Sequence, residues 1–248
     1  MNAIGVQPNG LILIGGAFLN VNFTARNRIA RINAADFTLD NTFNPGSGAD
    51  DTVLAIGLQS NGQIIVGGEF FFFNGTSTQS IARLNTNGTL DNSFFGAITD
   101  GDPIKVLTVQ SNDQILVGDG FEFVNGTARN NIARLNSNGT LDASFNPGLA
   151  LDNDVSAIAV QTNGQIVIGG APFDISGASR HGLVRLNSNG TLDAPFNPDV
   201  QTSTGDVVAM ALQTDGKIVL GGLFISVNGT PPQRNCSNQC GWHGRYFV

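Results

Sequence analysis

The chain has 248 residues, of which 41% are hydrophobic and only 12% charged, with 32 Gly and a net charge of −7. Phosphate recognition needs clustered Lys and Arg, so an acidic chain without a basic run is not expected to bind nucleic acid or an anionic membrane surface. No apolar stretch reaches the roughly 18 residues of a membrane span, so membrane insertion is not expected either.

The first element, Met1-Asn-Ala-Ile-Gly-Val-Gln7, returns as Val53-Leu-Ala-Ile-Gly-Leu-Gln59. Its Gln recurs at Gln7, Gln59, Gln110, Gln161 and Gln213, spaced 51 or 52 residues apart. An Arg recurs at Arg31, Arg83, Arg134 and Arg185, and an Asp at Asp40, Asp91, Asp142 and Asp193. A fixed period of this length means one supersecondary unit copied and packed on its neighbours. The units run over about 1–51, 52–102, 103–153, 154–205 and a partial 206–230, and residues 231–248 match nothing in the repeat. Because the chain opens in mid-repeat, it reads as a piece of a longer array.

The second copy shows the unit. Strands are predicted over 53–59, 63–70, 81–85 and 89–94, with a looser stretch over 71–80 containing Asn74-Gly75-Thr76. The turns Ser60-Asn61-Gly62 and Thr86-Asn87-Gly88 fit a type I turn followed by a Gly at positive φ. In that register Leu58 faces Ile64, Ile56 faces Val66, Asn85 faces Thr89 and Arg83 faces Asp91. The pairs Gly15-Gly16, Gly67-Gly68, Gly169-Gly170 and Gly221-Gly222 predict a bulge or a close backbone approach between neighbouring units. The third copy departs with Gly118-Asp119-Gly120. Four short strands per unit without helical periodicity predict an all-β fold, a β-propeller of four-stranded antiparallel blades. It would have four complete blades and a partial fifth, as a fragment or an imperfectly closed five-bladed ring. An open arc would leave an edge for self-association.

The block Leu-Gln-x-Asn/Asp-Gly-Lys/Gln-Ile with Gly-Gly, followed by Arg-Leu-Asn-x-Asn-Gly-Thr-Leu-Asp-x-x-Phe, resembles the bacterial delta-60 repeat. The resemblance covers roughly residues 1–230, and 212–222 match the pattern best. It implies a β-propeller repeat of unknown function from large proteins that are often secreted or on the cell surface. It supplies no catalytic residues.

Two rims follow from the connectivity. The tight turns lie on one, and the longer loops between second and third strands and between units lie on the other. Ligand sites favour variable loops on a rigid scaffold. On that rim Asp50, Asp51, Asp100, Asp102, Asp152, Asp154 and Asp206 precede first strands. Asp51, Asp102, Asp154 and Asp206 are candidates for an acidic ring attracting Ca²⁺ or a cationic ligand. The competing reading is that each caps its own turn, and no cofactor is otherwise expected. Phe72 and Phe73 belong to the run 70–73, which cannot all face inward on a strand of period two, and form a candidate contact surface for protein or glycan.

The recurring pairs Arg83 with Asp91, Arg134 with Asp142 and Arg185 with Asp193 read as structural locks, since an active site needs one copy rather than several. Arg134→Met should then lower stability without changing binding. Asn-Gly-Thr at Asn74, Asn87, Asn125, Asn138, Asn189 and Asn228 reads first as turns. The recurring Phe43, Phe94, Phe145 and Phe196 read as core anchors. His181, beside Arg180 with Asp174 and Ser176 nearby, gives little support for nucleophilic catalysis. Cys236, Cys240 and His243 have a loose metal-like spacing, with a local disulfide as the alternative. Trp242 and Tyr246 complete a tail that looks foreign to the repeat.

The expected function is a non-enzymatic scaffold or protein-interaction module of a larger exported or surface bacterial protein. A lectin-like propeller is the alternative, and a hydrolase or lyase on the long-loop rim a third reading.

Overall fold

A computed structural model describes residues 1–96, 102–148, 153–175, 177–201, 206–231, 233–234 and 244–245. The described residues contain no helix. They form two compact units, one of Met1–Val117, Phe121–Ala128 and Arg134–Asp142, the other of Gly118–Gly120, Arg129–Ala133 and Ala143–Val248.

In the first unit, Ala3–Val6, Ile12–Gly15 and Ile29–Ile32 form one antiparallel sheet. Val53–Leu58, Ile64–Gly68 and Ile81–Leu84 form the next. The register is the predicted one, with Leu58 opposite Ile64 and Ile56 opposite Val66. Every residue of Ile64–Gly68, the middle strand, and of Ile81–Leu84 beside it is buried, so both faces of these strands are covered. Phe43, Val53, Ile64, Val66, Phe70, Phe73 and Leu84 share one core cluster.

The glycine pair explains how closely the sheets approach. A Cβ on Gly67 would come 2.7 Å from Ile104 Cγ2 at the start of the following repeat, and one on Gly68 would overlap the Thr52 carbonyl. The register of Val53–Leu58 shifts between Val53 and Ala55, which is the expected bulge.

The fourth strand differs from expectation. Instead of a strand over 89–94, the segment makes one bridge, Leu84 with Leu90. Asp91 ends it, because its Oδ1 accepts from Ser93 N at 2.9 Å and Ser93 Oγ at 2.7 Å. This Asx turn redirects the chain before a ladder can extend. Thr42 bonds Asp40 in the same way.

The stretch 71–80 is more ordered than its sequence suggests. Phe72–Phe73 pairs with Thr76–Ser77 around Asn74 and Gly75, whose φ values of 49° and 76° make a two-residue turn of the kind that hairpins favour. In the first repeat the same turn is Asn22-Phe23, and Phe23 sits at φ 63°, fully exposed. A left-handed L-residue costs about 1–2 kcal/mol relative to Gly. Phe23→Gly is therefore expected to raise stability by about 1 kcal/mol in urea unfolding.

In the second unit, Val155–Val160, Ile166–Gly170 and Leu183–Leu186 form a sheet, and Val207–Leu212 pairs with Ile218–Gly222. Both carry the same bulge after the first residue of the first strand. Gly169 again faces the next repeat, with a would-be Cβ 2.7 Å from Val207 Cγ1. Val200–Gln201 leads into the last repeat and pairs with Ser226–Val227, the first half of that repeat's hairpin.

Candidate functional site

The recurring Arg and Asp meet. Arg83 Nε lies 2.9 Å from Asp91 Oδ2, Arg134 Nε 2.8 Å from Asp142 Oδ2 and Arg185 Nε 2.7 Å from Asp193 Oδ2. Arg31 and Asp40 do the same at 2.7 Å. Asp91 Oδ2 also accepts from Gln63 Nε2 at 2.7 Å. Arg83 reaches further, donating to the Ser137 carbonyl at 2.6 Å, just as Arg31 donates to Thr86 at 2.7 Å. Each of these two guanidiniums therefore ties its own third strand to the second tight turn of the following repeat. The recurring Phe lies against the same group, with Arg31 over Phe43 at 5.0 Å and Arg83 over Phe94 at 5.1 Å. In the second unit, Arg185 lies 4.3 Å over Phe196.

Burial alone would raise the Asp91 carboxyl. Hydrogen bonds from Ser93, the charge of Arg83 and the Gln63 amide outweigh it and hold the pKa at about 2, below the ordinary 3.8. A depressed folded-state pKa stabilises above the unfolded value and loses that contribution as the group protonates. Stability is thus expected to fall between about pH 4 and pH 2 in acid titration, and Asp91→Asn should flatten that part of the profile.

Of the acids before the first strands, Asp51 bonds its own connection through its carboxylate, whereas Asp102 and Asp206 are bonded through their backbone carbonyls. Asp51 Oδ1 accepts from Thr52 N at 2.7 Å, and the Asp102 carbonyl accepts from Ser80 Oγ at 2.9 Å. Asp154 is exposed and lies near Gly120, while the Asp206 carbonyl accepts from Leu223 N at 3.0 Å. Asp100 and Asp152 lie outside the described residues. Among the described residues, no group of three or more His, Cys, Asp or Glu is placed to hold a metal ion.

The aromatic run divides. Phe70 and Phe73 are fully buried and meet edge to face, with ring centroids 6.2 Å apart. Phe73 is thereby removed from the candidate contact residues, since its ring fills the core beneath the hairpin. Phe71 and Phe72 are 48% and 47% exposed. Asp50 Oδ1 accepts both of their backbone N–H groups at 3.0 Å, which fixes the hairpin's approach to the preceding connection. Leu19, Phe23 and Phe123 are likewise exposed, on or beside the corresponding hairpins of the first and third repeats. Sequence alone does not single out Leu19 and Phe123, because isolated apolar residues in or beside two-residue strands carry no periodic signal.

His181 pairs with a residue that the sequence does not indicate. Its Nδ1 lies 2.9 Å from Asp199 Oδ1, and both side chains are exposed. Hydrogen bonds from His181 and Gln201 lower the Asp199 pKa. Ser176 lies outside the described residues, as do Cys236, Cys240, Trp242, His243 and Tyr246.

Bulged antiparallel sheets repeated at a 51-residue period, with neighbouring repeats closely packed through glycine, define a β-propeller. The chain belongs to the family described as a domain of unknown function (DUF5122) beta-propeller, whose model matches residues 7–43, 59–94, 110–145, 161–196 and 213–232. Two crystal structures of the extracellular domain of BT4673 from B. thetaiotaomicron are similar, with TM-scores of 0.55 and 0.52 at 15% and 14% identity. The matches cover 89% and 91% of this chain but 25% and 26% of those chains, so it spans about a quarter of their length. At that identity the likeness shows the fold. Comparison with curated proteins finds no match. No helix among the described residues is long and apolar enough to cross a membrane.

Proposed function

We propose that this chain is a non-enzymatic propeller module that binds another protein through the hairpin rim of its first unit, within a larger exported or surface bacterial protein. The observation that carries this reading is the exposure of Leu19, Phe23, Phe71, Phe72 and Phe123 on or beside the hairpins of three successive repeats. Exposed aromatic side chains on a rigid scaffold are the anchors that protein interfaces use. The recurring polar residues, by contrast, are engaged in holding strands and repeats together. Placement outside the cell is supported by the likeness to an extracellular domain.

The test compares the wild type with Phe71→Ser/Phe72→Ser in affinity capture from the source organism's envelope fraction, beside a glycan array. A protein retained by the wild type and lost by the double variant, with unchanged melting, is expected. Glycan binding with no such protein would overturn the reading in favour of a lectin.

A further inference from the structure

The tight-turn rim of the first unit carries a second feature. The first turns of three successive repeats enclose a depression of about 380 Å³. Val6, Leu58 and Val109, the last residues of Ala3–Val6, Val53–Leu58 and Val106–Val109, give it an apolar wall. Gln59, Gln110 and Asp113 supply the polar part, and no Lys or Arg lines it.

Asp113 is a departure from the repeat. It sits at φ 65° where the other copies place Gly10, Gly62, Gly164 and Gly216. Its carboxylate accepts from Ser60 N at 2.6 Å and Ser60 Oγ at 2.5 Å, which brings the charge to the edge of the depression. Below it, the Oε1 atoms of Gln59 and Gln110 are buried without a hydrogen-bond partner. The corresponding oxygen of Gln7 accepts from Arg31 at 3.5 Å. The Gln59 amide nitrogen donates to the carbonyls of Asp113 at 3.2 Å and Ser137 at 3.1 Å, so its oxygen is held with its partial charge uncompensated. Negative charge and uncompensated carbonyl dipoles beside an apolar wall favour a cation with an apolar stem.

We infer that this depression binds a primary alkylammonium group, with the stem along Val6, Leu58 and Val109 and the ammonium at the Asp113 carboxylate. The site is separate from the hairpin rim and stands or falls independently of it.

The whole chain would be titrated by calorimetry at low salt with N-acetyl-lysine methylamide, cadaverine and N-acetyl-norleucine methylamide. Both amines should bind, and the norleucine derivative, which keeps the stem without the charge, should bind about ten-fold more weakly or not at all. Asp113→Asn keeps an acceptor for Ser60 and a residue tolerant of left-handed φ. It should leave melting unchanged and weaken both amines about ten-fold. Tighter binding of the lysine derivative assigns a peptide side chain as the natural ligand, and tighter binding of cadaverine a free amine. Equal binding of the norleucine derivative, amine binding insensitive to Asp113→Asn, or no saturable binding of either amine would overturn the inference.

Discussion

Arg83→Met is expected to lower the unfolding free energy by about 3 kcal/mol, the scale for removing one partner of a substantially buried ion pair. The side chain is about 10% exposed and serves Asp91, Ser93 and the Ser137 carbonyl together. Met retains much of the apolar stem that packs beside Phe94, so the loss measures the polar bonds rather than a cavity. It leaves a carboxylate with only Gln63 and Ser93 to satisfy it. Asp91→Asn in the same background should recover part of the loss, because the stranded charge is removed. Urea unfolding of the two single variants and the double variant supplies the cycle. Simple additivity would show that the pair does not act as a unit.

Gly88→Ala should cost about 3 kcal/mol, while Gly10→Ala, at a tight turn in the same unit, should cost about 1–2 kcal/mol. Both glycines have left-handed φ, 91° and 84°. They differ in what surrounds them. A Cβ on Gly10 meets nothing within 4 Å, whereas one on Gly88 comes 2.9 Å from Asn44 N and 3.0 Å from Asn44 C. That backbone belongs to the preceding repeat and is bonded there, Asn44 N donating to the Asn87 carbonyl at 2.7 Å. The new methyl must therefore displace an inter-repeat hydrogen bond as well as strain its own turn. Equal losses for the two variants, read from thermal melting, would show that backbone conformation alone sets the requirement for Gly at position 88.

The sheet register was legible because a period of two leaves one consistent pairing when apolar residues must face each other, as Ile56 and Val66 do. The tight turns were legible from Gly at the left-handed position. The Arg83–Asp91 pair followed from register alone. Its extension to Ser137 did not, since a backbone carbonyl in the next repeat has no sequence signature. The shortness of the fourth segment has no sequence signature, because Asp91 fits a strand residue and a salt-bridge partner, whereas its other oxygen also builds the turn that ends the strand. The burial of Phe73 is not legible in the sequence for a related reason. In a run of four aromatics, period two does not say which residues face inward until the Asn74-Gly75 turn fixes the hairpin. The His181–Asp199 pair depends on the connection between repeats, which is the least periodic part of the chain.

Positions that recur hold the fold, while the proposed contact surface consists of exposed residues on or beside the hairpins of the first unit. Equilibrium urea unfolding of Arg83→Met beside Phe71→Ser/Phe72→Ser tests that division most directly. A midpoint lowered for Arg83→Met, with the double Phe variant within about 0.5 kcal/mol of wild type, is predicted. A wild-type midpoint for Arg83→Met, or a large loss for the Phe variant, would contradict it.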